Sequence, residues 1–161
     1  MQTRAIIVAA GVGKRMNSKK PKVLHEVCGI PMITRVINAV KAAGISELHV
    51  VTGSGHDEVT EILPADVNVA VQEKQEGTAH AVSQTSEELS EADGNTLIIF
   101  GDTPLISPET IKNLVADHEH SGLKATVLSA YADNPKNFGR VIRKENGTVK
   151  AILEQTEVTH E

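Results

Sequence analysis

The chain has 161 residues and a net charge of −5, from 16 Lys and Arg against 21 Asp and Glu. This length fits one domain with a buried core, and 40% hydrophobic residues argue against disorder. The acidic balance, and the presence of only three aromatic residues (Phe100, Tyr131 and Phe138), argue against nucleic-acid binding. The single cysteine, Cys28, excludes a disulfide or a CxxC motif within this chain and is predicted to be a small buried residue.

No stretch approaches the roughly 20 apolar residues needed to cross a bilayer. The apolar run after Arg4 is short and closes with Gly11, Gly13 and charged residues rather than with a cleavage site. It therefore predicts a buried first strand rather than a signal peptide. We expect a cytoplasmic protein that does not contact membranes.

Apolar runs alternate with helical patterns along the chain. Five runs predict strands at residues 4–8, 48–52, 67–72, 95–100 and 125–130. Helical spacing or capping signals predict helices from Pro31 to Gly44, at residues 56–63 and 78–89, and from Ser107 to near Gly122. Asn146-Gly147 between residues 140–144 and 148–153 predicts a closing hairpin. This alternation indicates a mostly parallel sheet with helices on both faces.

The loop after the first strand is rich in glycine and basic residues. Gly11 and Gly13 allow backbone N–H groups to approach an anion, although the spacing matches neither a Walker A loop nor a dinucleotide fingerprint. An ordinary turn with a solvated basic edge is the alternative. Cations concentrated in an acidic protein favour a polyphosphate site; they are Lys14, Arg15, Lys19, Lys20 and Lys22.

The loops after the third and fourth strands reach the same edge of the sheet. Gln72 offers an amide to a base edge, and Gly77-Thr78 opens a helix. Taken alone, however, this segment is better explained as a polar loop with Thr78 as N-cap. Asp102 follows a buried strand and can hold Mg²⁺, or it can form an Asx turn before Thr103-Pro104. The histidines show no metal-ligand spacing.

Together these segments resemble the sugar-1-phosphate nucleotidyltransferases, and within them the N-acetylglucosamine-1-phosphate uridyltransferase domain of GlmU-type enzymes. Residues 8–16 are similar to the L-A-A-G-x-G-T-R-M opening, and residues 21–25 match P-K-V-L-H. Residues 72–81 resemble Q-x-x-x-x-G-T-x-H-A, residues 101–105 G-D-x-P-L, and residues 138–143 Y-G-R-I-x-R. Lys14, Val8, Phe138 and Glu76 depart mildly from these patterns.

The resemblance implies an α/β, three-layer Rossmann-like nucleotidyltransferase domain with a mostly parallel mixed sheet, over residues 1–161 and incomplete at its C-terminus. It implies uridylyl transfer from UTP to N-acetylglucosamine 1-phosphate, with Mg²⁺, for cell-wall precursor synthesis. Arg15, Lys22 and Asp102 are the implied catalytic residues, and Asp102 the implied metal ligand. The implied substrate-binding residues are Val8, Ala9, Ala10, Gly11, Lys22, Gln72, Gly77, Thr78, Phe100, Gly101, Asp102, Gly139 and Glu154.

Within these implied roles, residues 9–11 meet uracil and phosphates, Arg15 and Lys22 neutralise the triphosphate, and Gln72, Gly77 and Thr78 recognise uracil. Gly139 and Glu154 contact the sugar. The family places a further sugar-pocket Asn and a second Mg²⁺ ligand beyond residue 161, and it trimerises through a separate acetyltransferase β-helix. We therefore expect no acetyltransferase activity and weak or no uridylyl turnover from this chain. Transfer to another sugar phosphate, or nucleotide binding without catalysis, are the alternatives.

Overall fold

A computed structural model describes residues 1–11, 13, 16–90, 93–136 and 138–153. The chain divides into two compact units, Met1–Leu123 and Lys124–Glu161. Each unit is described by itself.

The first unit is built on a parallel sheet. Its described strands are β1 (Thr3–Val8), β2 (Glu26–Val27), β3 (Ile30–Pro31), β4 (Glu47–Thr52), β5 (Asn68–Val71) and β6 (Asn95–Phe100). Its described helices are α1 (Met32–Ala42), α2 (His56–Glu61), α3 (Thr78–Ser83), α4 (Ser86–Leu89) and α5 (Pro108–Ser121). The four longer strands pair in the order β5-β4-β1-β6, all parallel. The predicted α/β class and its four first strands are confirmed.

Side chains alternate between the two faces of the sheet. On β1, Ala5 and Ile7 join a core with α1 and with Ile111 of α5, whereas Ile6 packs on the opposite face with Ala81 of α3. Because successive strand residues point to opposite faces, a strand buried on both sides needs a continuous apolar run, as residues 5–8 provide. The result is a three-layer arrangement with helices on both faces.

A short hairpin that the sequence did not predict joins β2 to β3. Its two turn residues, Cys28 and Gly29, have φ angles of 51° and 74°. Positive φ at both central positions is typical of a tight two-residue hairpin turn. Cys28 is exposed there, so the prediction that it is buried is wrong.

The predicted helix over residues 78–89 is divided in two. The Thr85 hydroxyl donates to the Val82 carbonyl at 2.8 Å, and Thr85 is buried between α3 and α4. A threonine that hydrogen-bonds to the backbone competes with the helical ladder, which explains the break. At α5 the predicted cap is confirmed, since the Ser107 hydroxyl accepts from the Thr110 N–H at 3.0 Å.

The second unit contains the predicted hairpin but not the predicted fifth strand. β7 (Arg140–Arg143) pairs antiparallel with β8 (Val149–Leu153) as a separate two-stranded sheet, and Gly147 in the turn has a φ angle of 82°. Residues 125–130 are exposed throughout and form no strand, so that prediction is wrong. A strand requires the hydrogen bonds of a neighbouring strand, and β-branched residues alone do not supply them.

No helix in the described part of the chain is long and apolar enough to span a bilayer.

Candidate functional site

A cavity of about 290 Å³ lies at the carboxyl edge of the parallel sheet. Three loops, which follow β1, β5 and β6, form its walls. Its lining residues are Val8, Ala9, Ala10, Gly11, Lys22, Val23, Gln72, Gln75, Gly77, Thr78, Ala81, Phe100 and Asp102.

The sheet's own hydrogen bonds hold these loops together at their start. The Ala9 N–H donates to the Val51 carbonyl at 2.8 Å, and the Gly101 N–H donates to the Val8 carbonyl at 2.9 Å. The Gln72 N–H likewise donates to the Thr52 carbonyl at 2.8 Å. The parallel ladder therefore continues one residue past each strand and fixes where each loop leaves the sheet.

The glycine loop after β1 closes onto Lys22. Gly13 has a φ angle of 63°, a left-handed conformation that glycine adopts without strain. A Cβ atom at Gly13 would lie 2.7 Å from the Lys22 Cβ, far inside van der Waals contact. Glycine at this position thus serves both the backbone turn and the close approach of the lysine.

Lys22 and Asp102 form an ion pair at the wall of the cavity, with the Lys22 Nζ donating to Asp102 Oδ2. Their side chains are 38% and 28% exposed, so both remain accessible from the cavity. Lys22 begins a 3₁₀ turn, Lys22–Leu24, that Val23 and Leu24 anchor in the core. A cation and a carboxylate are therefore presented side by side, next to the glycine loop.

Gln72 presents one side of its amide to the cavity. Its Nε2 donates to the Gly77 carbonyl at 3.0 Å and lies 3.0 Å from His80 Nδ1. Within the described residues, Gln72 Oε1 has no hydrogen-bond partner. It is also not a fully buried unpartnered side-chain atom, since His25 Nε2 is the only such atom in the described part of the chain. The Gln72 carbonyl oxygen is therefore not fully buried, although the residue as a whole is only 4% exposed.

Gln75 is a cavity residue that the sequence analysis missed. Its Nε2 donates to the Ala10 carbonyl at 2.8 Å and so joins the loop after β5 to the loop after β1. The position of Gln75 in a polar loop next to Gln72 was the only available signal.

Thr78 is the first residue of α3, and Gly77, with a φ angle of 99°, occupies the N-cap position that the sequence had suggested for Thr78.

Most of the predicted site residues meet around this one cavity. Gly101 joins two lining residues, Phe100 and Asp102, without lining the cavity itself. Arg15 and Glu154 lie outside the described residues. Gly139 belongs to the second unit, where a Cβ atom would lie 3.1 Å from the Leu153 carbonyl oxygen.

Asp102 is the carboxylate available to a metal at this cavity. No group of three His, Cys, Asp or Glu side chains able to hold a metal occurs among the residues that the structure describes. The donor set still fits Mg²⁺, which takes one or two carboxylates and completes its shell with water and substrate phosphates.

A crevice at the carboxyl ends of parallel strands, with a glycine loop and a cation beside a carboxylate, is an arrangement suited to nucleotides. Residues 5–154 match the family described as the MobA-like NTP transferase domain, and the chain belongs to this family. It matches the N-terminal domain of bifunctional GlmU proteins. Identity is 50% over 159 residues with GlmU of Staphylococcus saprophyticus and 49% over 150 residues with that of Bacillus mycoides.

The chain spans about a third of the length of these curated relatives, 35% and 33%, while 99% and 93% of the chain itself is covered. A Bacillus anthracis protein assigned as a glucose-1-phosphate thymidylyltransferase, solved with sucrose, has a TM-score of 0.78 at 24% identity, covering 95% of this chain and 64% of that one. Rv0371c of Mycobacterium tuberculosis, solved with manganese, has a TM-score of 0.61 at 18% identity, covering 75% and 61%. These likenesses establish the nucleotidyltransferase fold.

Proposed function

We propose that this chain carries the nucleotide half-site for uridylyl transfer from UTP to N-acetylglucosamine 1-phosphate, which yields UDP-N-acetylglucosamine and pyrophosphate. The observation that carries the proposal is one cavity lined by two kinds of group. The Gln72 amide and the start of α3 suit the edge of a base, and we assign them the base end of a nucleotide. The Lys22–Asp102 pair and the glycine loop suit phosphates with a metal, and we assign them the phosphate end. A nucleoside triphosphate needs both, since it has a base at one end and anionic phosphates at the other.

The base end matches uracil. Gln72 Oε1 can accept a hydrogen bond from uracil N3–H. The N–H of Thr78 precedes the hydrogen-bond ladder of α3 and so can donate to uracil O4. Cytosine presents the reverse pattern at these two positions, an unprotonated N3 and an amino group. Leaving buried polar groups of a site unpaired is costly, so this pairing favours UTP over CTP.

The phosphate end supplies positive charge. Lys22 is placed to bind phosphate oxygens, and we place Arg15 in the same role from its position in the glycine loop. The N–H groups of the glycine loop add further donors to an anion. Asp102 is the residue that would hold Mg²⁺, and the metal would neutralise charge on the phosphate oxygens.

The proposed reaction needs no general base. A phosphate oxygen of the sugar phosphate is already anionic and attacks the α-phosphorus of UTP. A bond forms between that oxygen and the α-phosphorus, and the bond from the α-phosphorus to the oxygen bridging to the β-phosphorus breaks, releasing pyrophosphate. Catalysis of this kind depends on positioning and charge neutralisation, which Lys22 and the loop N–H groups can provide. Gly139 and Glu154 are the proposed sugar-contacting residues.

A thermal-shift titration of the 161-residue chain tests the proposal. UTP, CTP and GTP are compared with and without Mg²⁺, because a ligand that binds only the folded state raises the melting temperature by mass action. We expect UTP with Mg²⁺ to stabilise the chain most. Equal shifts for all three nucleotides, or no shift, would contradict the proposal.

Pyrophosphate release tests the reaction itself. A signal that requires both UTP and N-acetylglucosamine 1-phosphate supports the assigned acceptor, and glucose 1-phosphate serves as the matched control. A chain that transfers equally well to both sugars would contradict the N-acetylglucosamine assignment while leaving the nucleotide assignment intact.

A further inference from the structure

We propose that His80 is a positioning residue that sets the base preference of the cavity by fixing the orientation of the Gln72 amide. This inference rests on the proposed function, since it explains how the uracil-binding group is held. His80 is not among the residues that line the cavity, and it acts through Gln72.

The Gln72 amide group has two hydrogens, and two atoms that can accept a hydrogen bond face it. The Gly77 carbonyl can only accept, so the amide nitrogen must lie on that side, at 3.0 Å. His80 Nδ1, also at 3.0 Å, is placed to accept the second hydrogen. With both hydrogens used, the carbonyl oxygen of Gln72 is the part of the amide that remains for a ligand. Without His80, only one hydrogen bond would oppose rotation of the amide.

For His80 to accept at Nδ1, the proton of its neutral ring must be on Nε2. Glu76 Oε2, one turn away, lies 4.0 Å from His80 Nε2, which is beyond hydrogen-bond distance, but its negative charge favours a proton on that nitrogen. The Gln84 amide nitrogen donates to the His80 carbonyl at 2.9 Å. It also lies 3.2 Å from Nε2, where its second hydrogen would favour the opposite tautomer, so the shorter 3.0 Å contact of Gln72 with Nδ1 and the nearby Glu76 carboxylate are what favour a proton on Nε2. Gln72, Glu76 and Gln84 are the polar side chains recorded at this ring among the described residues.

The orientation of the Gln72 amide decides which base it fits. With oxygen toward the cavity it accepts from uracil N3–H, and with nitrogen toward the cavity it donates to cytosine N3. Loss of His80 should therefore weaken UTP binding and relieve the penalty against CTP. A general loss of stability would instead affect both nucleotides alike.

The test compares His80→Leu with His80→Asn in the full 161-residue chain. Asparagine places its side-chain oxygen close to where His80 Nδ1 lies, so it can still accept from Gln72, whereas leucine cannot. Isothermal titration with UTP and CTP, both with Mg²⁺, gives the ratio of the two affinities. We expect His80→Leu to lower the UTP-to-CTP ratio about five- to tenfold, as for loss of one hydrogen bond, and His80→Asn to restore most of it.

The outcomes separate this inference from the proposed function. If the unsubstituted chain has no preference for UTP, the proposed function fails and this inference fails with it. If that preference exists but His80→Leu retains it, only the role of His80 is overturned. Nitrogen-15 NMR of the histidine ring gives an independent check that needs no nucleotide: we expect the Nε2–H tautomer, and an Nδ1–H tautomer would overturn the inference.

Discussion

Lys22 and Asp102, 80 residues apart in the sequence, form an ion pair at the wall of the cavity. The two residues are proposed to bind different partners, phosphate oxygens for Lys22 and Mg²⁺ for Asp102. In the structure each neutralises the other. Binding of a magnesium–triphosphate complex would therefore replace the Lys22–Asp102 pair with two new pairs, Lys22 with phosphate and Asp102 with Mg²⁺. Because each charge keeps an opposite charge beside it, the net cost of desolvating these groups stays small.

Replacing Lys22 with alanine should weaken UTP binding about tenfold at low salt, which corresponds to about 1.4 kcal/mol. The substitution removes a charged donor to phosphate. The difference in UTP affinity between the two chains should shrink at higher salt, because salt screens the attraction between Lys22 and phosphate. Isothermal titration with UTP at two salt concentrations measures both the loss of affinity and its dependence on salt. Lys41→Ala is the matched control, because Lys41 also pairs with a carboxylate, Asp66, and is 31% exposed. Unchanged affinity for Lys22→Ala at low salt would count against the phosphate assignment.

Replacing Asp102 with asparagine should have opposite effects with and without Mg²⁺. Without the metal, triphosphate binding should improve, because a negative charge is removed and Lys22 is released. With the metal, the gain in affinity that Mg²⁺ confers on the unsubstituted chain should be lost, since its protein carboxylate is gone. Titration of UTP in EDTA and in Mg²⁺ distinguishes the two effects, with Asp66→Asn as control. An Asp102→Asn chain that keeps its full response to Mg²⁺ would exclude Asp102 as the ligand.

Gly13→Ala and Gly122→Ala form a matched pair with nearly equal φ angles of 63° and 62°. Each should lose roughly 1–2 kcal/mol of folding free energy, because a side chain is strained in the left-handed region. Only at Gly13 would the new Cβ collide with Lys22; at Gly122 nothing lies within 4 Å. Chemical denaturation should show both losses, whereas UTP affinity should fall only for Gly13→Ala. Equal affinities in the two variants would disprove the coupling between the loop and Lys22.

The Lys41–Asp66 pair predicts a small pH effect on stability. A hydrogen bond from Lys41 holds the pKa of Asp66 below its usual value. The carboxylate is thus favoured in the folded state, so this stabilisation is present above the unfolded-state pKa, about 3.9, and is lost as the pH falls through the lower folded-state value. Melting temperatures of the unsubstituted chain and Asp66→Asn should therefore converge at low pH and separate above about pH 4. A difference in melting temperature between the two chains that does not change with pH would contradict the lowered pKa of Asp66.

The sequence predicted the sheet well because buried parallel strands are continuous apolar runs. Residues 4–8 illustrate this, since Arg4, Ala5, Ile6 and Ile7 of β1 are all buried. At residues 95–100 the predicted and observed bounds coincide, but the expectation of a buried strand is wrong there, because Ile98 and Phe100 are about half exposed. The meeting of Lys22 and Asp102 was also predictable in outline, because the carboxyl ends of parallel strands share one edge. Their direct pairing was not, since it depends on the 3₁₀ turn that follows the glycine loop.

The failures have local causes. Residues 125–130 have strand composition, but propensity cannot supply a neighbouring strand. The break at Thr85 depends on one hydroxyl bonding to the backbone, which periodicity does not encode. The bond from Gln75 to the Ala10 carbonyl joins loops 65 positions apart, and only the folded chain brings those groups into range.

The turn at Cys28 has a practical consequence. Because it carries the chain's sole thiol and is solvent-exposed, a maleimide dye would attach at one known position without any engineered substitution. That turn follows the Lys22–Leu24 segment by only a few residues. A fluorophore there labels the chain at a single defined site, and titration with UTP tests whether its emission responds to binding.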